Sequence, residues 1–172
     1  MLIIFGGLPG TGKTSLAREI SKTLYAVYLR IDAIEHGIQS SGCLRGEMND
    51  AGYRAAYFTA AENLALGFTV VADSVNPVAL SRDAWISVAQ KAGCPAVEIE
   101  TICSDTQEHQ RRVENRCTDM EGFALPSWQD VLNRHYEPWD REHLIVDTAH
   151  KSIEACLREI TAYLQVKYEK IR

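Results

Sequence analysis

The chain has 172 residues, 46% of them hydrophobic and 24% charged, and a formal net charge of −5. That suits one globular domain. It counts against a protein that coats nucleic acid by charge alone, and no apolar run approaches the ~20 residues of a membrane-spanning helix.

Residues 2–5, Leu-Ile-Ile-Phe, form a short apolar run, as a strand buried on both faces does. The next stretch reads Gly7-Leu8-Pro9-Gly10-Thr11-Gly12-Lys13-Thr14-Ser15, which contains the phosphate-binding pattern Gly-x-x-x-x-Gly-Lys-Thr. Glycines let the backbone turn its N–H groups inward. The start of the following helix adds positive potential there. Lys13 is placed to reach the β- and γ-phosphates of ATP, and Thr14 to give its hydroxyl to Mg²⁺. Leu16, Ile20 and Leu24 recur at helical spacing, so a helix follows over 14–24.

Residues 26–31 read as a second strand ending at Asp32. A helix of about 11 residues runs about 16 Å, and six strand residues run about 20 Å. Asp32 should therefore emerge at the same sheet edge as Lys13, where open α/β sheets bind ligands. There it serves either as acceptor of a substrate hydroxyl's proton or as N-cap of the next helix. Residues 34–46 suggest a short helix and a mobile loop. A helix over 49–66 puts Tyr53, Ala56, Tyr57, Ala60 and Leu64 on one face. The two tyrosines read first as packing residues and second as pocket walls.

A third strand over 68–72 ends at Asp73, which reads as a Mg²⁺ ligand through water or as a turn residue. A helix over 79–91 carries Arg82 and Trp85. The fourth strand, 96–103, alternates apolar residues with Glu98 and Glu100, which suggests a partly exposed face or an edge position. A helix over 105–117 carries Arg111, Arg112 and Arg116. Arg112 and Arg116 share a face at i, i+4 and are candidates either for charge stabilisation from a lid or for a solvated surface. A short helix over 128–136, a fifth strand over 144–146 and a last helix over 151–167 complete the chain. Strand and helix alternate five times, so the expected fold is α/β, a parallel sheet wound on both faces. The expectation is one domain over 1–172, with its lid at about 104–140.

The five cysteines show no Cys-x-x-Cys spacing, and the histidines show no metal spacing. Reduced thiols and a first strand starting at residue 2 fit a cytoplasmic protein with no signal peptide.

The loop from Gly7 to Thr14, the strand ending Arg30-Ile31-Asp32, the Ala72–Pro77 turn and the Arg112-x-x-x-Arg116 pair resemble the small P-loop kinases. These include adenylylsulfate kinase, chloramphenicol phosphotransferase and polynucleotide kinase domains. The resemblance covers essentially the whole chain. It implies the P-loop nucleoside triphosphate hydrolase fold with strand order 2-3-1-4-5 and a helical lid. It also implies that Asp32 touches the acceptor hydroxyl, that the lid arginines touch the ATP phosphates, and that adenine lies near Thr148. Adenylylsulfate kinase has Asp-Gly-Asp-Asn-Val-Arg where this chain has Arg30-Ile31-Asp32-Ala33-Ile34-Glu35.

The expected activity is ATP- and Mg²⁺-dependent transfer of the γ-phosphoryl group to a hydroxyl of a small molecule. The acceptor pocket is expected from Asp32, residues 34–46, Tyr53, Tyr57 and Arg82. A 5′-hydroxyl nucleic-acid end is the less favoured acceptor, and an ATP-binding switch protein is the alternative of another class. Which acceptor is used, and the oligomeric state, stay open at this level.

Overall fold

The computed structural model describes residues 1–169. In chain order the elements are β1 Leu2–Gly6, α1 Lys13–Leu24, β2 Val27–Arg30, α2 Ile31–Ser40, α3 Ala51–Ala65 and β3 Val70–Asp73. There follow α4 Ala79–Lys91, β4 Ala96–Ile102, α5 Thr106–Asn115, α6 Trp128–Asn133, β5 Leu144–Asp147 and α7 Ile153–Glu169. The strands form one parallel sheet in the order β2-β3-β1-β4-β5.

Side chains alternate across a strand, so β1 feeds two cores. Leu2 and Ile4 join Val70, Ala72, Ala56, Ala60, Leu64 and Trp85 on the α3 and α4 side. Ile3 and Phe5 join Leu16, Ile20, Val71, Ile99, Val146 and Ile160 on the α1 and α7 side. Burial on both faces is why β1 and β3 are apolar throughout. All strand C-termini reach one edge, which brings the phosphate loop, Arg30, Asp73 and Asp147 together in the sequence β2 to β5.

Three expectations need correction. The second strand ends at Arg30, and Asp32 lies in the first turn of α2; the N-cap position belongs to Arg30. The fourth strand is not an edge, because β5 pairs outside it. Its glutamates alternate because a polar strap, residues 136–143, covers that face. The Tyr136 hydroxyl donates to Glu100 Oε1 at 2.9 Å, His143 Nε2 lies 3.1 Å from Glu100 Oε2, and Arg141 Nε lies 3.6 Å from Glu98. Burial pushes the Glu98 carboxyl upward, with Arg141 opposing.

Arg82, expected in the acceptor pocket, is fully buried. It donates to the carbonyls of Asn76 at 3.3 Å, Glu137 at 3.1 Å and Pro138 at 2.9 Å, and its guanidinium sits 5.0 Å from the Trp139 ring centroid. It therefore fastens the strap to the start of α4. Glu137 adds to this, accepting from the Ala79 N–H at 2.6 Å while its own N–H donates to Pro77 O at 2.8 Å.

Trp85 is fully buried under Tyr57, edge to face at 4.6 Å, and its Nε1 donates to Asn76 Oδ1 at 3.2 Å. Trp85→Ala is expected to cost about 3–5 kcal/mol, as large aromatic truncations in cores do. Urea unfolding checks this, and a loss under about 1 kcal/mol would show a core that collapses into the gap.

Candidate active site

The phosphate loop is shaped before it meets any ligand. The Gly7 N–H donates to Val75 O at 3.1 Å, and the Thr11 hydroxyl reaches Leu8 O and Thr101 Oγ1, each at 2.9 Å. Gly7 has φ +133°, and a Cβ there would collide with the Thr101 carbonyl. Gly10 has φ +87°, and a Cβ there would sit 2.5 Å from Val113 Cγ2 of α5. Only glycine meets both demands.

A cavity of about 850 Å³ opens above the loop. Pro9, Gly10, Gly12, Lys13, Thr14 and Ser15 line its floor. Gly7, Leu8 and Thr11 stand outside the lining and hold the loop's shape.

Lys13 is only 7% exposed. Burial pushes its ammonium downward, opposed first by Asp73 and then by Asp32, while Arg116 and Arg30 add to the downward push. No hydrogen bond among the described residues holds this ammonium, and Lys13 lines the cavity. Asp73 lies behind it, 2% exposed. Asp73 Oδ2 accepts from the Tyr28 hydroxyl at 2.6 Å, and Oδ1 is buried with no hydrogen-bond partner among the described residues. Burial, then Asp73, pushes the Tyr28 hydroxyl upward, which keeps it protonated and donating.

That unpartnered oxygen and the half-buried Thr14 hydroxyl at the floor are hard oxygen donors, the chemical type that suits a hard cation. Among the described residues no cluster of His, Cys, Asp and Glu forms a protein cage for a metal.

Asp32 lines the cavity with its side chain 37% exposed, and Arg30 Nη2 lies 3.7 Å from its Oδ2. Glu35, one turn along α2, also lines the cavity, and burial followed by Asp32 pushes its carboxyl upward. Tyr53 is a wall residue whose hydroxyl accepts from the Asn76 N–H at 3.1 Å. Tyr57 instead donates to Ser81 O at 3.1 Å beneath α4, so it packs and does not line the cavity. Of residues 34–46, Glu35 alone reaches the lining.

Arg112 and Arg116 do not share a helix face. The helix ends at Asn115, and Arg116 is its C-cap with extended backbone at φ −73°, ψ 144°. Arg112 is ion-paired to Glu108 and donates to Thr148 Oγ1 at 2.8 Å and Thr148 O at 2.9 Å. Arg116 lines the cavity and donates to Pro126 O at 3.4 Å. Its Nε is buried without a partner among the described residues. Burial pushes its guanidinium downward while Asp32 pulls it back. Thr148 is buried beside the loop, and its hydroxyl lies 2.9 Å from Thr11 O and 3.0 Å from Ile102 O, able to donate to one of them at a time.

Two contributors escaped the sequence reading. His109 is buried with Nε2 2.8 Å from Pro9 O, so it donates to the loop backbone, and Trp128 packs edge to face on it at 5.1 Å. Asn76, at φ +50° and fully buried, donates to Phe5 O at 2.9 Å and ties the β3 turn to β1. The spacing of His109 and Val113, i and i+4 on an otherwise polar helix, was the available signal for the face of α5 that meets the loop.

A family model described as an AAA domain matches residues 2–138. An adenylyl-sulfate kinase from Acaryochloris marina (strain MBIC 11017) is 24% identical over 176 residues, which span 95% of this chain and 81% of that protein. A gluconokinase from Sinorhizobium meliloti 1021 is structurally similar with a TM-score of 0.70 at 21% identity, covering 98% of this chain and 94% of its own. The Mycobacterium tuberculosis APS kinase CysC, in complex with AMPPNP and APS, is similar with a TM-score of 0.66 at 22% identity, with coverages of 95% and 96%. At these identities the likeness to the solved structures is one of fold. Among the described residues no helix is long and apolar enough to cross a membrane.

Proposed function

The chain belongs to the AAA domain family, and from that premise we propose that it is an ATP- and Mg²⁺-dependent kinase acting on a hydroxyl of a small molecule. One observation carries the reading: Lys13, Asp32 and Arg116 line one cavity and feel one another's charge. Phosphoryl transfer needs a phosphate cradle, a positioned nucleophile and positive charge on the migrating group, and these three residues supply one each. The AMPPNP held by the M. tuberculosis APS kinase supports a nucleoside triphosphate as donor.

In this reading the loop N–H groups and Lys13 hold the β- and γ-phosphates. Thr14 directly and Asp73 through water would hold Mg²⁺, which would neutralise charge on the phosphate oxygens. Asp32 accepts the acceptor's hydroxyl proton as that oxygen bonds to the γ-phosphorus and the bond to the β-phosphate oxygen breaks. Arg116 meets the charge that spreads over the migrating group. Arg112, held on Thr148, belongs to the nucleotide side. Residues 104–140 act as the lid of a single domain. Free cysteines, two of them exposed, fit a reducing, cytoplasmic setting. The cavity's mixed charge and the chain's net charge of −5 favour a small molecule over a nucleic-acid end.

The test is a screen of small alcohols, sugar acids and nucleosides with ATP, read as gain of one phosphoryl mass and as acceptor-stimulated ADP release. Stimulation by none of them, with ATP-dependent capture of a partner protein, would replace the kinase with a switch. The two arginines should separate in the same assay. Arg116→Ala is expected to lower turnover about ten- to a hundredfold, the size of one charged hydrogen bond, with nucleotide affinity nearly kept. Arg112→Ala should mainly weaken nucleotide binding. Equal turnover in Arg116→Ala and wild type would return that residue to the protein surface.

A further inference from the structure

The cavity contains a second place built for an anion, and a side chain of the protein itself occupies it. Asp119 lies in the irregular segment between α5 and α6. Its Oδ1 accepts from Arg30 Nη1 at 2.8 Å, and its Oδ2 accepts from Arg18 Nη2. Arg18 is one turn beyond Thr14 on α1, and Arg30 closes β2. Both line the cavity, and so does Asp119. Two elements of the rigid frame thus converge on one carboxylate from a connecting segment. Hydrogen bonds from Arg18, then Arg30, hold the Asp119 carboxyl far below the usual carboxylate range.

Asp119 does not use all that this clamp offers. The Arg30 side chain is 11% exposed, and its Nε is buried with no hydrogen-bond partner among the described residues. Among the described residues its Nη2 meets Asp32 alone, at the 3.7 Å of a loose ion pair. An arginine presents five donors in a fixed fork that matches carboxylate or phosphate through two of them. Asp119 takes one hydrogen bond from each arginine and engages neither fork fully. Its own side chain is half exposed. The clamp also adjoins Asp32, so a ligand whose hydroxyl meets Asp32 would carry a neighbouring group to Arg30.

We propose that Arg18 and Arg30 form an oxyanion subsite for the acceptor, and that Asp119 is its resident competitor. The acceptor is then an alcohol that also bears a phosphate, sulfate or carboxylate group, and it displaces Asp119 on binding. This rests on the kinase reading of the cavity.

The experiment is an equilibrium titration with inorganic sulfate and, separately, with acetate, without nucleotide and at constant ionic strength. It uses the full chain as wild type, Asp119→Asn, Asp119→Asn with Arg18→Gln, and Glu35→Gln. The phosphate loop's own affinity for sulfate is common to all four. An occupant that fills the clamp nine-tenths of the time weakens an external anion about tenfold, so Asp119→Asn should bind about tenfold tighter. Adding Arg18→Gln should abolish the gain. Glu35→Gln, which removes a cavity carboxylate outside the clamp, should show none. A larger gain for sulfate assigns a tetrahedral group, and a larger gain for acetate assigns a carboxylate. Unchanged affinity in Asp119→Asn would make Asp119 a latch for the lid and overturn the subsite. An equal gain in Glu35→Gln would overturn it too, as a general effect of charge. Failure of the kinase reading would show separately, as absent acceptor-stimulated ADP release, whatever the titrations give.

Discussion

Lys13→Ala should lower ATP turnover by roughly 10²–10³-fold, the usual loss when one preorganised donor to a developing charge is removed. It should also abolish stabilisation by ATP. Lys13 as a residue is 7% exposed, and burial pushes its ammonium downward, with Asp73 and Asp32 as its counter-charges. At a ligand concentration a hundredfold over Kd, wild type gains about 2.7 kcal/mol. That corresponds to about 5–10 °C in Tm for a domain of this size. The variant's own Tm should stay near that of wild type, because the cores on both sheet faces do not touch the removed ammonium. The check is a melting curve with and without ATP-Mg²⁺, beside a turnover assay. A variant that keeps wild-type turnover would remove the phosphate cradle from this loop.

Asp32→Asn should fold and bind ATP-Mg²⁺ about as well as wild type, and lose roughly 10²–10⁴-fold of acceptor-dependent transfer, the size of a general-base contribution. A loose, dissociative transition state would put the loss at the low end. Asp32 is not the cap of α2, since Arg30 holds that position, so the amide leaves capping untouched. What changes is a negative charge in the first turn, a matter of about 0.3–1 kcal/mol, and the loose pair with Arg30. The measurement sets acceptor-stimulated ADP release beside nucleotide affinity for both proteins. Undiminished stimulation would move the proton acceptor elsewhere. Glu35 would come first, because it lines the same cavity and burial already pushes its carboxyl toward neutral pH.

The features legible in the sequence were those whose cause is local. The phosphate loop depends on glycine spacing and on the strand and helix beside it. The edge at which Asp32 emerges follows from counting rise per residue along α1 and β2. The features that failed depend on partners far along the chain. Nothing near Arg82 distinguishes an arginine aimed at a pocket from one that binds the carbonyls of Glu137 and Pro138, more than fifty positions away. Glu98 and Glu100 looked solvent-facing because the strap that covers them arrives later in the chain. Arg112 and Arg116 looked like one face because helical spacing was carried past Asn115 to Arg116, where the backbone turns extended. Tyr53 and Tyr57 read alike, yet one lines the cavity and the other packs on Trp85.

The stitching of the strap at Glu137 to the start of α4 has a consequence for amide hydrogen exchange. The Ala79 amide is protected by a carboxylate 58 positions away, so it exchanges only when the strap lifts or the whole domain opens. Its exchange rate is therefore a clock for the strap. Segments that open together exchange together, so the amides of Ala79 and Glu137 should share one opening free energy. The connector at 116–127, whose amides lie outside helix and sheet, should open far more often. Exchange at 116–127 that outpaces Ala79 and Glu137 would then mark opening confined to the residues upstream of Glu137, with the strap fixed behind the phosphate loop.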